Sequence, residues 1–205
     1  MLMQLSCVRL GGMTETPVRR RPGGRSAAVR RSVLDAVIQA VADDGPDALT
    51  IAGIAAAAGV HETTVYRRWG SAEQLLLDAM LDYSEDRIEA ADLGSLREDL
   101  VDFALAIAGF LSSATGRALA RAMIGTGAEA PVPAGRAEFW QRRFAVTEVI
   151  FRRAAERGEW PEDADAADVL ETIVARTHFR LLLLGRPVGR DEAQRSVDDA
   201  LAAVV

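Results

Sequence analysis

The chain contains no lysine: arginine supplies all 24 of its permanent side-chain cations. It has a single cysteine, Cys7, and two histidines, His61 and His178. One cysteine excludes an intrachain disulfide and a cysteine-based metal site. Two histidines without a Glu-x-x-His pair leave no metal ligand set, and no nucleophile stands beside a base, so neither an enzyme nor a bound cofactor is expected. Long apolar runs are also missing. The densest, Phe179–Gly185, falls far short of the ~20 residues that cross a bilayer, so no membrane partner is expected. The opening "MLMQLSCVRLGG" has no continuous apolar core and no clear cleavage site for a signal peptide, which makes a cytoplasmic location the expectation. Met13 is an alternative natural start.

What is present is an ordinary globular composition, 49% apolar and 26% charged over 205 residues, enough to bury a core. The net charge of −6 is unevenly spread. Residues 1–71 hold nine arginines against six acids, a net of +3; residues 72–205 hold fifteen against twenty-four, a net of −9. Arg19, Arg20, Arg21, Arg25, Arg30 and Arg31 face only Glu15 in their stretch. A basic end on an acidic protein suits a local polyanion contact, or simply a solvated tail.

Residues 1–24 mix Pro, Gly and Arg without periodicity and read as a flexible basic arm. From Ser26, Val29, Val33, Val37 and Val41 recur at the spacing of one buried helical face, and "DDGPDA" ends that helix. Thr50 reads as the N-cap of a short helix whose inner face is Ile51, Ile54, Ala55 and Ala58. Gly59 permits the left-handed conformation of a sharp corner, and Val60 plugs it. A second short helix, Glu62 to Trp69, turns Val65 and Trp69 inward. Gly70 ends it and Ser71 caps a longer helix, Ala72 to Ala90. Further helices are expected at Ser95–Ser112, Gly116–Ile124, Arg136–Arg157, Ala164–Leu184 and Arg190–Val204. No window alternates as a strand does. The fold class is all α, about nine helices.

Two short helices about a glycine corner form a helix-turn-helix pattern. The second helix is slim enough for a major groove roughly 12 Å wide, and its outward residues are His61, Glu62, Thr63, Thr64, Arg67 and Arg68. Thr and Tyr hydroxyls can donate to phosphate oxygens, and arginines add charge-assisted bonds. Glu62 also complements the positive end of its helix dipole, which we favour over cytosine recognition. His61 suits a phosphate contact at the corner better than a metal. Tyr66 has a packing alternative.

Leu49–Leu76 closely resembles the DNA-binding segment of the TetR family of transcriptional regulators. The matching residues are "LT" (Leu49, Thr50), "IA" (Ile54, Ala55), "AGV" (Ala58 to Val60), "TVYRRW" (Thr64 to Trp69), and Ser71 with Leu75 and Leu76. The resemblance implies that Thr50, Thr64 and Tyr66 hold the phosphate backbone and that Arg68 makes a further backbone contact. It implies base-edge roles for His61, Glu62, Thr63 and Arg67. Two departures stand out: Ala72 occupies a position where the family usually has lysine, and Thr63 one where it often has a small residue.

The resemblance further implies three segments: the arm 1–24, a helix-turn-helix DNA-binding domain 25–71, and a helical ligand-binding and dimerisation domain 72–205. It implies a homodimer through the last two helices. The stripes Val169, Leu170, Ile173, Val174, Thr177, Leu181, Leu184 and Ala193, Val197, Ala200, Leu201, Val204 suit this, or an intrachain core. The middle helices would enclose a pocket for an unidentified small-molecule effector, with Phe103, Phe110, Arg121, Trp140, Phe144 and His178 as candidate lining. Arg121, Arg176 and His178 are informative because a polar group facing a bundle interior needs a partner. The function expected is a sequence-specific regulator of double-stranded operator DNA, a repressor released by its ligand. The alternative is a helical protein-binding adaptor without DNA binding, which would need neither the basic end nor the Thr-Tyr-Arg face.

Overall fold

The computed structural model describes residues 24–45, 49–85, 87–125, 134–161 and 164–204. Among them the chain is helical, with no strand. The helices are α1 (Arg25–Asp44), α2 (Ile51–Ala58), α3 (Glu62–Trp69), α4 (Ala72–Glu85), α5 (Leu96–Ser112), α6 (Ala114–Gly125), α7 (Ala134–Glu156), α8 (Ala166–His178) and α9 (Arg190–Ala202). Arg19, Arg20 and Arg21 lie outside the described residues.

Side-chain caps start these helices where the sequence supplies them. Thr50 accepts from the Gly53 amide at 3.1 Å, Ser71 from Gln74 at 3.1 Å, Ser95 from Glu98 at 3.2 Å, and Asp165 from Ala167 at 2.8 Å. Each satisfies an amide that the first turn leaves free, worth about 1 kcal/mol.

α1 packs against α2, α4 and α6, and α5 lies centrally against α6, α7, α8 and α9. The core is continuous from Val33, Val37 and Val41 through Leu75 and Leu76 to Leu100, Ile150, Ile173 and Val197.

α4 stops at Glu85, five residues before the expected end at Ala90. The chain turns there so that Ile88 is buried, and the Ala90 and Ala91 carbonyls are met by the Arg153 guanidinium of α7. α8 ends at His178 and continues as one wider turn over Phe179–Leu183, with the Leu184 amide bonded to the Phe179 carbonyl at 3.1 Å. This five-residue spacing replaces the single helix expected through Leu184.

The apolar stripes of the last two helices are mostly filled from within the protomer. Val169, Leu170, Ile173, Val174, Thr177, Ala193, Val197 and Ala200 are all buried, because α8 and α9 pack on each other and on α5. Of those stripes only Leu181, Leu184, Leu201 and Val204 keep accessible surface. The intrachain-core alternative therefore describes the buried residues.

α5 and α6 meet at a bend of 92°. Gly116 sits inside it, where an added Cβ would lie 2.0 Å from the Phe110 carbonyl oxygen. Ser113 braces the bend, donating to that same carbonyl at 2.7 Å and accepting from the Gly116 amide at 2.9 Å. Gly116→Ala is expected to cost about 1–3 kcal/mol, since backbone must shift to admit the methyl. Thermal unfolding checks it; an unchanged melting temperature would mean that the bend relaxes freely.

Candidate nucleic-acid interface and effector cavity

The corner between α2 and α3 is built as the sequence suggests. Gly59 has φ +67°. Its amide bonds to the Ala56 carbonyl, and the Val60 amide to Ala55 at 3.0 Å. This pair of bonds closes α2 and redirects the chain within two residues.

Two side chains hold α3. Val65 is fully buried and Trp69 nearly so. The Trp69 indole donates to Asp78 of α4 at 2.9 Å. Asp78 also accepts from Arg30 of α1 at 3.2 Å, and Arg30 reaches Asp82 at 2.5 Å. One carboxylate thus joins three helices. Arg30 is committed to this contact, so it does not belong with the cations facing outward.

With Val65 and Trp69 inward, the rest of α3 faces out. His61, Glu62, Thr63, Arg67 and Arg68 are exposed, and Tyr66 is 64% exposed. Thr64 is half-buried and lines a shallow cleft with Arg25, Ser26, Arg67 and Arg68, between α3 and the start of α1. Arg68 does not project freely. Its Nη1 lies 3.4 Å from the Ser26 hydroxyl, and its guanidinium sits 5.2 Å from the centre of the Trp69 ring. Thr50 is exposed at the start of α2, and its capping role leaves the hydroxyl proton free to be donated. The surface therefore combines hydroxyl donors, guanidinium groups and the free amides that open α3, a set suited to phosphate oxygens and base edges.

A second site lies between α4, α5, α7 and α8. Phe103, Phe110, Trp140, Phe144 and His178, expected from the sequence, line one cavity. Arg121 does not: it is exposed on α6, so it is no pocket residue. The interior register of α6 is taken by Leu119, Ala120 and Ala122, which turns Arg121 to solvent. Arg176 is also occupied elsewhere, paired with Glu192 at 3.1 Å and with Asp199.

The cavity is small, about 40 Å³. It is narrow and ring-lined. Trp140 meets Phe139 edge-on at 5.2 Å and approaches Phe144 at 5.7 Å and His178 at 6.2 Å. His178 Nδ1 lies 2.8 Å from the Val174 carbonyl. Burial lowers the imidazole pKa, against the opposing bond to Val174, so the ring is neutral at pH 7.

The sequence reading missed Arg143, which lines this cavity and is 6% exposed. The signal was available: Arg143 falls between Phe139, Trp140 and Phe144 on one face of α7, a single cation inside an apolar stripe. Among the described residues, no group of His, Cys, Asp or Glu is arranged to hold a metal. No single described helix is long and apolar enough to cross a membrane.

Comparison with known proteins gives consistent matches along the chain. Residues 33–79 match the model for bacterial regulatory proteins of the tetR family, and residues 90–200 that for the tetracyclin repressor-like C-terminal domain. The HTH-type transcriptional regulator AqdR of Rhodococcus erythropolis is 33% identical over 164 residues, covering 80% of this chain and 79% of AqdR. The uncharacterized HTH-type regulator YdeS of Bacillus subtilis is 28% identical over 188 residues, covering 91% and 93%. Among solved structures, the TetR family transcription regulator SCO0332 superposes with a TM-score of 0.72 at 28% identity, over 86% of this chain and 98% of that one. FadR of Bacillus subtilis, solved with stearoyl-CoA, shares the fold at a TM-score of 0.60 and 15% identity, over 85% and 99%.

Proposed function

The chain belongs to the TetR family of bacterial helix-turn-helix transcriptional regulators, and from that premise we propose that it is a repressor released from its operator by a small-molecule ligand. The observation that carries the reading is the outward polar face of α3, which Val65 and Trp69 fix from behind. Residues 25–71 act as the DNA-reading unit and residues 72–205 as the effector-binding and dimerising unit. Thr50, Thr64, Tyr66 and Arg68 bind phosphates, while His61, Glu62, Thr63 and Arg67 approach base edges. An adaptor that bound only protein would leave this face and the cleft beside Arg25 without a purpose.

Two copies assemble through the outer sides of the last two helices. On the wider turn that extends α8, Phe179 and Leu183 are 51% and 66% exposed, and Leu184 beside them is also exposed. Adjacent large apolar side chains of this kind mark an association surface. A two-fold dimer places two recognition helices a helical turn of DNA apart, or a multiple of it.

The cavity supplies the switch. Its narrowness means that a ligand must part α4 from α5 and α7. α4 contributes Met80 and Ser84 to the cavity wall, and Asp78 and Asp82 to the contacts with α1 and α3. A ligand that favours the parted form therefore shifts the recognition helices, and only that difference in affinity lowers DNA binding.

Selection from random duplex DNA is expected to return a two-fold symmetric inverted repeat. Affinity for it should fall steeply as salt rises, because bound phosphates release counterions. Recovery of no enriched sequence, or of an asymmetric single site bound by a monomer, would count against the proposal.

A further inference from the structure

Three charged side chains are buried among the described residues: Asp99, Glu192 and Arg143. Asp99 accepts from the Leu93 amide at 2.6 Å and meets Arg157 at 3.4 Å. Glu192 is held by Arg176, Arg180 and Arg195. Arg143 has no such partner. No described hydrogen bond or ion pair reaches it, and its Nη1 is fully buried without an acceptor. Burial lowers its pKa, opposed by the charge of Glu85, a residue that stays exposed and out of ion-pair reach. Burying a guanidinium without a partner in the protein is costly, and such a group in a cleft marks a candidate functional site.

Arg143 lies on the wall of the cavity, among Phe103, Phe139, Trp140 and Phe144. Among the described residues, the only other ionisable group on that wall is His178, which is neutral. With its Nδ1–H donated to Val174, its Nε2 is left as an acceptor. The site therefore offers one cation, aromatic faces and one neutral acceptor. A phosphate or polyphosphate head would bring two or more charges to a single guanidinium. A carboxylate matches it in charge and in the paired geometry of its two oxygens.

We infer that the effector is an apolar organic monoanion, a ring- or chain-bearing carboxylate whose oxygens seat on the Arg143 guanidinium. This rests on the reading of the cavity as the effector site. Arg143 is then a specificity-determining residue: its buried guanidinium, which has no partner within the protein, pairs with the acid.

The test uses matched acids and amides with the full-length protein: 2-naphthoate and 2-naphthamide, indole-3-acetate and indole-3-acetamide, decanoate and decanamide. Binding is followed by calorimetry and by tryptophan fluorescence, since Trp140 lines the site. At least one acid is expected to bind roughly tenfold or more tightly than its amide, the worth of a charge-assisted bond. Arg143→Met should erase that preference, chiefly by lowering the affinity of the acid, and Arg143→Lys should keep part of it. The melting temperature of ligand-free Arg143→Met should not fall, because the substitution removes an unpaired buried charge. The inference is overturned if no acid outbinds its amide, if the preference survives in Arg143→Met, or if that variant melts markedly lower, which would make Arg143 a structural group. Ile107→Phe, which narrows the cavity, separates this from the broader reading. Acids and amides that bind equally, and are both lost in Ile107→Phe, would leave the cavity as the effector site and remove only the anion. Binding indifferent to Ile107→Phe would remove both.

Discussion

A Thr64→Ala, Tyr66→Ala double variant is expected to lose operator affinity by roughly a thousandfold or more while remaining folded. Tyr66 is 64% exposed and Thr64 half-buried. Neither side chain makes a described hydrogen bond within the protein, so their removal should change stability by only about 0.5 kcal/mol each. On DNA each hydroxyl is assigned one phosphate, worth about 1–1.5 kcal/mol. Two such bonds in each of two modules amount to roughly 4–6 kcal/mol, and each 1.4 kcal/mol is about tenfold in affinity. The measurement is a titration of the selected operator at fixed salt, with thermal unfolding as the control. Parental affinity in a folded double variant would withdraw the phosphate roles of both residues.

Trp69→Ala has the second large expected effect, a loss of about 3–5 kcal/mol in stability. The indole fills the space behind α3, and its N–H is one of two donors to Asp78. Truncation opens a cavity and removes a bond in one step. As whole domains are stable by only about 5–15 kcal/mol, the helix-turn-helix should melt early and DNA binding should vanish with it. Trp69→Phe retains most of the volume and leaves Arg30 on Asp78, so it should cost nearer 1–2 kcal/mol. Thermal unfolding at one protein concentration distinguishes them. A Trp69→Ala protein within 1 kcal/mol of the parent would show that the indole is not what holds α3 in place.

On the proposed function, stability and regulation share this contact. Asp78 and Asp82 stand on the helix that also carries Met80 and Ser84 into the cavity wall. Motion of α4 sufficient to admit a ligand should disturb Trp69 and Arg30, because both bond directly to carboxylates of that helix. On that reading the cavity and the outward face of α3 are ends of one mechanical element.

The helix-turn-helix was legible because its signals are local. A Thr cap, a left-handed glycine and two inward side chains three to four residues apart specify α2, the corner and α3 within about twenty residues. Helix number and most helix starts followed likewise from periodicity and caps. What the sequence could not show was pairing across distance. Ala90 and Ala91 meet Arg153 more than sixty residues away, so the end of α4 depended on α7. An amphipathic stripe states that a face is covered but not by what; Val169, Ile173 and Val197 are covered by this chain itself rather than by a second copy. Arg121 and Arg143 both stand in apolar helical stretches, and the aromatic stripe around Arg143 was the one local signal that separated them. Only the packing of α6 and α7 sends one to solvent and leaves the other buried without a counterion. Local backbone chemistry is written in neighbouring residues, whereas burial is a property of which surfaces meet, and that is decided when the helices assemble.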